Sequence, residues 1–288
     1  MQTSVQSVRT SSLHLVYEQT GPGSGAPIPL LHGFPYDVRE YDGVRDRIVR
    51  NDRRVIVPYL RGFGATRYLA KESFRSGQQA ALGKDVVDLL EALNIERATL
   101  VGYDWGDRAA CFAAALWPDR IQALVSVGGY LVQDIASSAM TPASAEQEQA
   151  FWYQWYFQTD RGYRGLEKNR DELCRLMWQM WSPAWRFSED LFAATAKSFR
   201  NPDFVATVIH SYRHRYANAA GDPSLKDLEA RLATKPAIRF PTIVRHGEDD
   251  RVTPPSSSEG QEHFFTGQTE RRILPRTGHC GPAEERGQ

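Results

Sequence analysis

What this 288-residue chain has little of closes off several classes of protein. There is no excess charge: 35 Lys and Arg meet 35 Asp and Glu. That balance argues against binding nucleic acid or a membrane surface through bulk charge. No apolar run approaches the roughly 20 residues of a spanning helix, so no membrane and no nucleic-acid partner is expected. Cysteine is scarce, and Cys111, Cys174 and Cys280 are odd in number, scattered and without paired metal spacing. The pattern suits reduced thiols, so no metal site is expected. Met1 to Ser12 is polar and lacks the apolar stretch of a signal peptide, which adds to the expectation of a cytoplasmic protein. A dinucleotide loop is missing too. Arg61-Gly62-Phe63-Gly64 follows a strand-like run but has neither a third glycine nor an immediate helix, and no cofactor is expected.

What is present is a rhythm of strands and helices. At 41% hydrophobic the chain can bury a sizeable core, and its length fits one α/β unit with a modest insertion. An opening hairpin is read over residues 1–26, with Leu13 to Tyr17 alternating and Gly21 to Gly25 as a turn cluster. Short strands follow at 28–31 and 55–60, a helix at 78–93, a strand entering Gly102, a helix to about Trp117 and a strand at 121–127. Alternation of this kind makes the sheet mostly parallel. It breaks after Gly128-Gly129, and residues 134–233 are aromatic-rich and helical in pitch. The rhythm resumes at Pro241 and ends with a strand at Arg272-Ile273-Leu274. The reading is a doubly wound α/β fold. Residues 1–133 are the first part of its core, 134–233 an inserted helical cap or lid, and 234–288 the second part.

The centre of the chain's chemistry is Gly102-Tyr103-Asp104-Trp105-Gly106. A strand, a Gly-x-x-x-Gly frame and an alanine-rich helix make a nucleophile elbow, whose central residue sits in a tight turn relieved by small neighbours. The usual centre is serine; here it is Asp104. A carboxylate is already ionised at neutral pH and can attack an electrophilic carbon directly, giving an enzyme ester. Such an elbow suits a strained or activated sp3 carbon, an epoxide or an alkyl halide.

Partners follow in the order this fold uses. His32-Gly33-Phe34-Pro35 lies after an early strand, where a loop supplies one backbone N–H of an oxyanion hole. Phe34 is one candidate donor and Trp105 the other, while the His32 side chain braces the loop. Gly247-Glu248-Asp249-Asp250 follows a later strand, and His279 follows the last. His279 is the candidate base. Asp250 is the orienting acid, preferred over Asp249 because it immediately precedes an x-Val-x-Pro turn. His210 and His214 are four apart, but no third ligand at zinc-motif spacing follows.

At this point the chain resembles the α/β-hydrolase-fold epoxide hydrolases, the aspartate-nucleophile branch shared with haloalkane dehalogenases. The resemblance rests on His32-Gly33-Phe34-Pro35, on the Asp104 elbow, on Asp250 with His279, and on two stretches of the lid. Tyr153-Gln154-Trp155-Tyr156-Phe157-Gln158 is similar to the family's Tyr-Gln-x-Tyr-Phe-Gln, and Ser211-Tyr212-Arg213 to its x-Tyr-Arg. The resemblance implies an α/β-hydrolase fold and a cofactor-independent hydrolase opening an epoxide to a vicinal diol. It makes Tyr153 and Tyr212 the donors to the epoxide oxygen, with Tyr156 as a rival to Tyr153. Phe34, Trp105, Trp152 and Tyr156 are expected to touch the substrate, a small molecule expected to be bulky and largely apolar. Tyr103 stands where the family usually has histidine. Nine residues follow His279, where relatives run on into a closing helix, so the last strand is expected to be held some other way. The alternatives are a haloalkane dehalogenase using the same Asp104, and a non-catalytic ligand-binding protein on the same fold. The assembly is expected to be a monomer or homodimer.

Overall fold

In the computed structural model, which describes residues 2–50 and 52–284, nine strands join one sheet. They are β1 (Ser4–Arg9), β2 (Leu13–Thr20), β3 (Ala26–Leu31), β4 (Arg53–Pro58), β5 (Arg67–Tyr68), β6 (Ala98–Tyr103), β7 (Ile121–Val127), β8 (Thr242–Gly247) and β9 (Thr269–Leu274). Their order across the sheet is β1-β2-β4-β3-β6-β7-β8-β9, with β5 pairing β2 at the side. From β4 to β9 every pairing is parallel, whereas β1, β2 and β4 pair antiparallel. The first hairpin reverses between Arg9 and Leu13 rather than at the glycine cluster. Gly21 to Gly25 instead leads into β3, which is not a neighbour of β2 because β4 lies between them. β3 carries prolines at 27 and 29, which have no N–H to give, and it pairs with β6 only beyond them, at Leu30 and Leu31.

Strand periodicity sorts the core onto two faces. On β3, Leu30 joins Val55 and Val57 of β4 against Tyr41 and Val49 on one face. Leu31 and Ile56, one residue out of step, join the larger core on the other. Helix α1 (Asp42–Val49) covers the first face, while α2 (Gln79–Ala92) and α3 (Trp105–Leu116) pack together on the second. All of α3 is buried, and its alanines let it lie close to the sheet. The sheet is thus covered on both sides, as parallel strands of continuous apolar sequence require.

Between β7 and β8 lie α4 (Ile135–Ala139), α5 (Ala145–Ala150), α6 (Trp152–Tyr156), α7 (Asp160–Lys168), α8 (Arg170–Trp181), α9 (Glu189–Ala196), α10 (Phe204–Arg215) and α11 (Lys226–Ala233). Side-chain oxygens of Ser144, Thr159 and Ser188 accept the first free N–H groups of α5, α7 and α9, which is why those helices begin there. A short α12 (Gly281–Glu284) follows the His279 loop. Among the described residues no helix is long and apolar enough to cross a membrane.

Candidate active site

β6 runs straight into α3, and Asp104 is the hinge between them, with φ +50° and ψ −114°. Side chains other than glycine rarely hold that backbone, at a cost of about 1–3 kcal/mol. Two neighbouring glycines make room for it. A Cβ on Gly106 would lie 1.8 Å from the Leu31 carbonyl oxygen, and one on Gly102 2.5 Å from the Asp107 Cα. The Asp104 carboxylate stands over this turn, and the Phe34 backbone N–H donates to its Oδ1 at 2.7 Å.

The Phe34 loop is held from three sides. His32 Nε2 accepts the Leu60 N–H at 3.1 Å, so its other ring nitrogen donates to the Gly33 carbonyl at 2.9 Å. Burial lowers this ring to about 4, and it stays neutral. The buried Glu40 carboxylate accepts the Gly33 N–H at 3.3 Å. From α8, the Trp178 indole donates to the Pro35 carbonyl at 2.9 Å and its ring stacks on Tyr36.

On the other side of Asp104, His279 Nε2 lies 3.7 Å from Oδ2, buried and without a hydrogen-bond partner. Its Nδ1 meets Asp250 Oδ2 at 2.8 Å. Asp250 is fixed in turn by the N–H groups of Val252 and Thr253 on Oδ1, at 2.7 and 2.9 Å, and by the Thr253 hydroxyl on Oδ2. It is Asp250, and not Asp249, that bonds the ring; the Asp249 backbone N–H donates to the Thr277 carbonyl. Burial works against an imidazolium at His279, but the Asp250 carboxylate outweighs it, with Asp104 adding to the pull, and the ring is raised to about 10. Burial would raise Asp250, and the facing imidazolium holds it below its ordinary value instead. Trp181 of α8 packs edge-on against the His279 ring, 5.2 Å between centroids, and its carbonyl accepts the His279 N–H. Tyr103 lies against the same ring at 5.1 Å. The loop after β9 is tied down by α12: Glu284 accepts from the Gly278 N–H and from the Ser182 hydroxyl, which itself accepts the Cys280 N–H.

Helices α6 and α10 roof the site. The rings of Tyr153 and Tyr212 meet edge to face at 5.4 Å. Tyr212 Oη accepts the Trp105 indole N–H at 3.2 Å, and Tyr153 Oη accepts from Gln154 Nε2 at 3.0 Å. The Gln154 carbonyl end takes the Tyr216 hydroxyl at 3.0 Å, which fixes the direction of the amide. Because each tyrosine accepts in these bonds, each keeps its own O–H proton to give. Burial raises both phenols above their ordinary value, and the Asp104 charge adds to it.

A cavity of about 200 Å³ opens beside Asp104, lined from the roof by Phe151, Tyr153, Gln154, Arg215 and Tyr216. Three expectations change here. Trp152 and Tyr156 do not line this cavity; they sit on other faces of the short α6, and the Tyr156 hydroxyl lies 1.9 Å from where a Cβ on Gly165 would stand. The substrate expected from aromatic composition was bulky and apolar, yet the space is below the ~300–1,000 Å³ of drug-sized sites. Two arginines and two glutamines line it together with Val127, Leu131, Phe151 and Val252. Phe34 and Trp105, expected to touch the substrate, are fully buried and stacked at 5.6 Å, packed against the Tyr212 ring, and none of these three lines the cavity. Sequence reading missed Trp178, Trp181, Glu40 and Gln154. Gln154, Trp178 and Trp181 all lie in the aromatic-rich stretches of the lid, with no role read for them there. His210 accepts the Gly77 N–H and bonds the Ala220 carbonyl, and among the described residues no group of three or more His, Cys, Asp or Glu could hold a metal ion.

The alpha/beta hydrolase fold family matches residues 26–285. A solved structure from Klebsiella pneumoniae, of a protein provisionally named an epoxide hydrolase, is 41% identical with a TM-score of 0.94, covering 99% of this chain and 94% of that one. A Bacillus subtilis protein of the AB hydrolase superfamily is 26% identical over 252 residues, 86% of each chain. An epoxide hydrolase of Caballeronia sordidicola is 34% identical over 113 residues, 39% of this chain and 32% of its own length. The likeness to that enzyme therefore spans about two-fifths of this chain and a third of that enzyme.

Proposed function

The chain belongs to the alpha/beta hydrolase family, and on that premise we propose that it is an epoxide hydrolase working through an Asp104 ester. The observation that carries the reading is a carboxylate at the strained elbow, facing His279 Nε2 at 3.7 Å. A serine there would need His279 to take its proton; a carboxylate needs none.

An oxygen of Asp104 attacks a ring carbon of the epoxide, the ring C–O bond breaks, and the electron pair goes to the ring oxygen. Tyr153 or Tyr212 gives that oxygen a proton, which leaves a tyrosinate. Asp104 is now a neutral ester, and its share of the charge holding His279 protonated disappears. The His279 proton passes through solvent to the tyrosinate, which restores the phenol, and the neutral His279 then acts as a base on a water beside Nε2. The water oxygen attacks the ester carbonyl, and the amides of Phe34 and Trp105 receive the oxyanion. Collapse breaks the acyl C–O bond; His279 returns its proton to the departing oxygen. The water's second proton passes from the Asp104 carboxyl to His279 and restores the imidazolium, the water oxygen stays in Asp104, and the net reaction is epoxide plus water to vicinal diol.

Dehalogenation through the same aspartate asks for an indole N–H turned to the halide. The Trp105 N–H is given to Tyr212 instead, which supports the epoxide reading. The test uses His279→Gln protein with small epoxides, followed by peptide mass spectrometry. A substrate-sized adduct on the Asp104 peptide is the expected result. No adduct, together with no diol from the wild type, would overturn the reading.

A further inference from the structure

We propose that the substrate of this site is a small epoxide bearing a carboxylate, held by Arg108 and Arg215; the proposal rests on the epoxide hydrolase reading and names the substrate class for it. Two guanidinium groups from different helices line the cavity beside Asp104, Arg108 from α3 and Arg215 from α10. Neither has an acidic partner among the described residues. Arg108 donates to Gln133 Oε1 at 2.7 Å and lies over the Phe112 ring. Arg215 reaches only the Gln154 amide oxygen, at 3.5 Å, and lies over the Tyr212 ring. Its Nε and Nη2 are buried without an acceptor.

Charge balance turns this into a ligand statement. Among the described residues Asp104 is the one acid that lines the cavity. His279 is matched by Asp250, so Asp104 can offset one guanidinium and the second is left over. Two such cations around one space, Arg108 buried and Arg215 half-buried, are costly. Burial and the neighbouring Arg215 pull Arg108 down to about 9. A protein keeps that arrangement where an anion repays it, and planar guanidinium groups match a carboxylate best.

Reach fits as well. Arg108 lies one helical turn beyond Asp104, its N–H bonded to the Asp104 carbonyl at 2.9 Å, and such neighbours stand about 5–6 Å apart at Cβ. An acid whose carboxylate is attached directly to the epoxide ring holds that carboxylate one bond from a ring carbon, and Asp104, Arg108 and Arg215 line the same cavity. Its few heavy atoms suit the space of about 200 Å³.

The experiment compares kcat/KM of the wild type for oxirane-2-carboxylate and for oxirane-2-carboxamide, its near-isosteric neutral amide, at one ionic strength. The acid is expected to exceed the amide by about tenfold or more, chiefly in KM, and propanoate to inhibit where propanamide does not. Arg108→Gln and Arg215→Gln should each lower the acid-to-amide ratio about 10- to 100-fold, with the lysine replacements retaining part of it. The inhibition of the wild type by propanoate needs no variant to fold. Equal use of acid and amide, with no inhibition by propanoate, would overturn the carboxylate proposal while leaving the epoxide reading standing. No diol from either compound and no adduct on Asp104 in the His279→Gln protein would overturn both. Chloride release from 2-chloropropanoate in place of diol formation would overturn the epoxide reading, and with it the epoxide acid as substrate, while leaving the arginines as a carboxylate site.

Discussion

The floor and the roof of this cavity are built differently. On the floor, Asp104, Phe34, Asp250 and His279 stand at the carboxyl ends of parallel strands, and backbone groups hold them: the Phe34 N–H on Asp104, and the Val252 and Thr253 N–H groups on Asp250. In the roof, side chains hold one another. Gln154 links Tyr153, Tyr216 and Arg215, and Tyr212 is bonded by the Trp105 indole. Backbone-held groups move only if the sheet moves, whereas the roof can be rebuilt by changing one side chain. The floor therefore suits invariant chemistry and the roof the choice of substrate.

The comparison breaks first at Asp104. Asp104→Ala should lower kcat by about 10⁴-fold or more for every epoxide tried, and brisk steady-state turnover by that variant would remove the covalent floor from the account. Tyr153→Phe and Tyr212→Phe belong to the roof, where one donor can stand in for the other. Each should cost about tenfold and the pair about 10³-fold, read as kcat for a neutral epoxide; a double variant no worse than either single one would mean the two hydroxyls do not share the task.

Stability sharpens the contrast with smaller effects. His279 has a folded value raised to about 10 from an ordinary value near 6.5. Its contribution is therefore fully present below about pH 6.5 and is lost as pH rises through about 10. Thermal melts of the wild type and of His279→Gln should draw together across that window. A gap that widens with pH would contradict the charge pattern of the floor. Smallest is the strain at the elbow. Asp104→Gly should be more stable than Asp104→Ala by about 1 kcal/mol, because only glycine relaxes at φ +50°. Chemical denaturation measures it, and a more stable alanine variant would mean the turn is unstrained.

How much of this was legible beforehand follows the same division. The elbow could be read because its turn demands glycines at 102 and 106, and a backbone demand of that kind leaves a local mark. Asp250 and His279 were legible through their order along the chain, since each parallel strand delivers its end to the same edge of the sheet. Trp152 and Tyr156 were misplaced because a five-residue helix, Trp152–Tyr156, points successive aromatics in different directions, and composition does not say which faces the cavity. Trp178 and Trp181 were missed for a related reason: their work is done on the loops after β3 and β9, far away in sequence.

The sequence alone determined the alternation that makes the sheet parallel, the Asp104 elbow, and the order in which acid and base follow it, because each rests on local backbone chemistry or on chain order. Tertiary structure decided which aromatics close the cavity, how small that space is, and that Arg108 and Arg215 meet across it from α3 and α10. Helix-to-helix packing sets those choices, and its contacts join residues roughly a hundred positions apart, for which no local pattern in the chain is required.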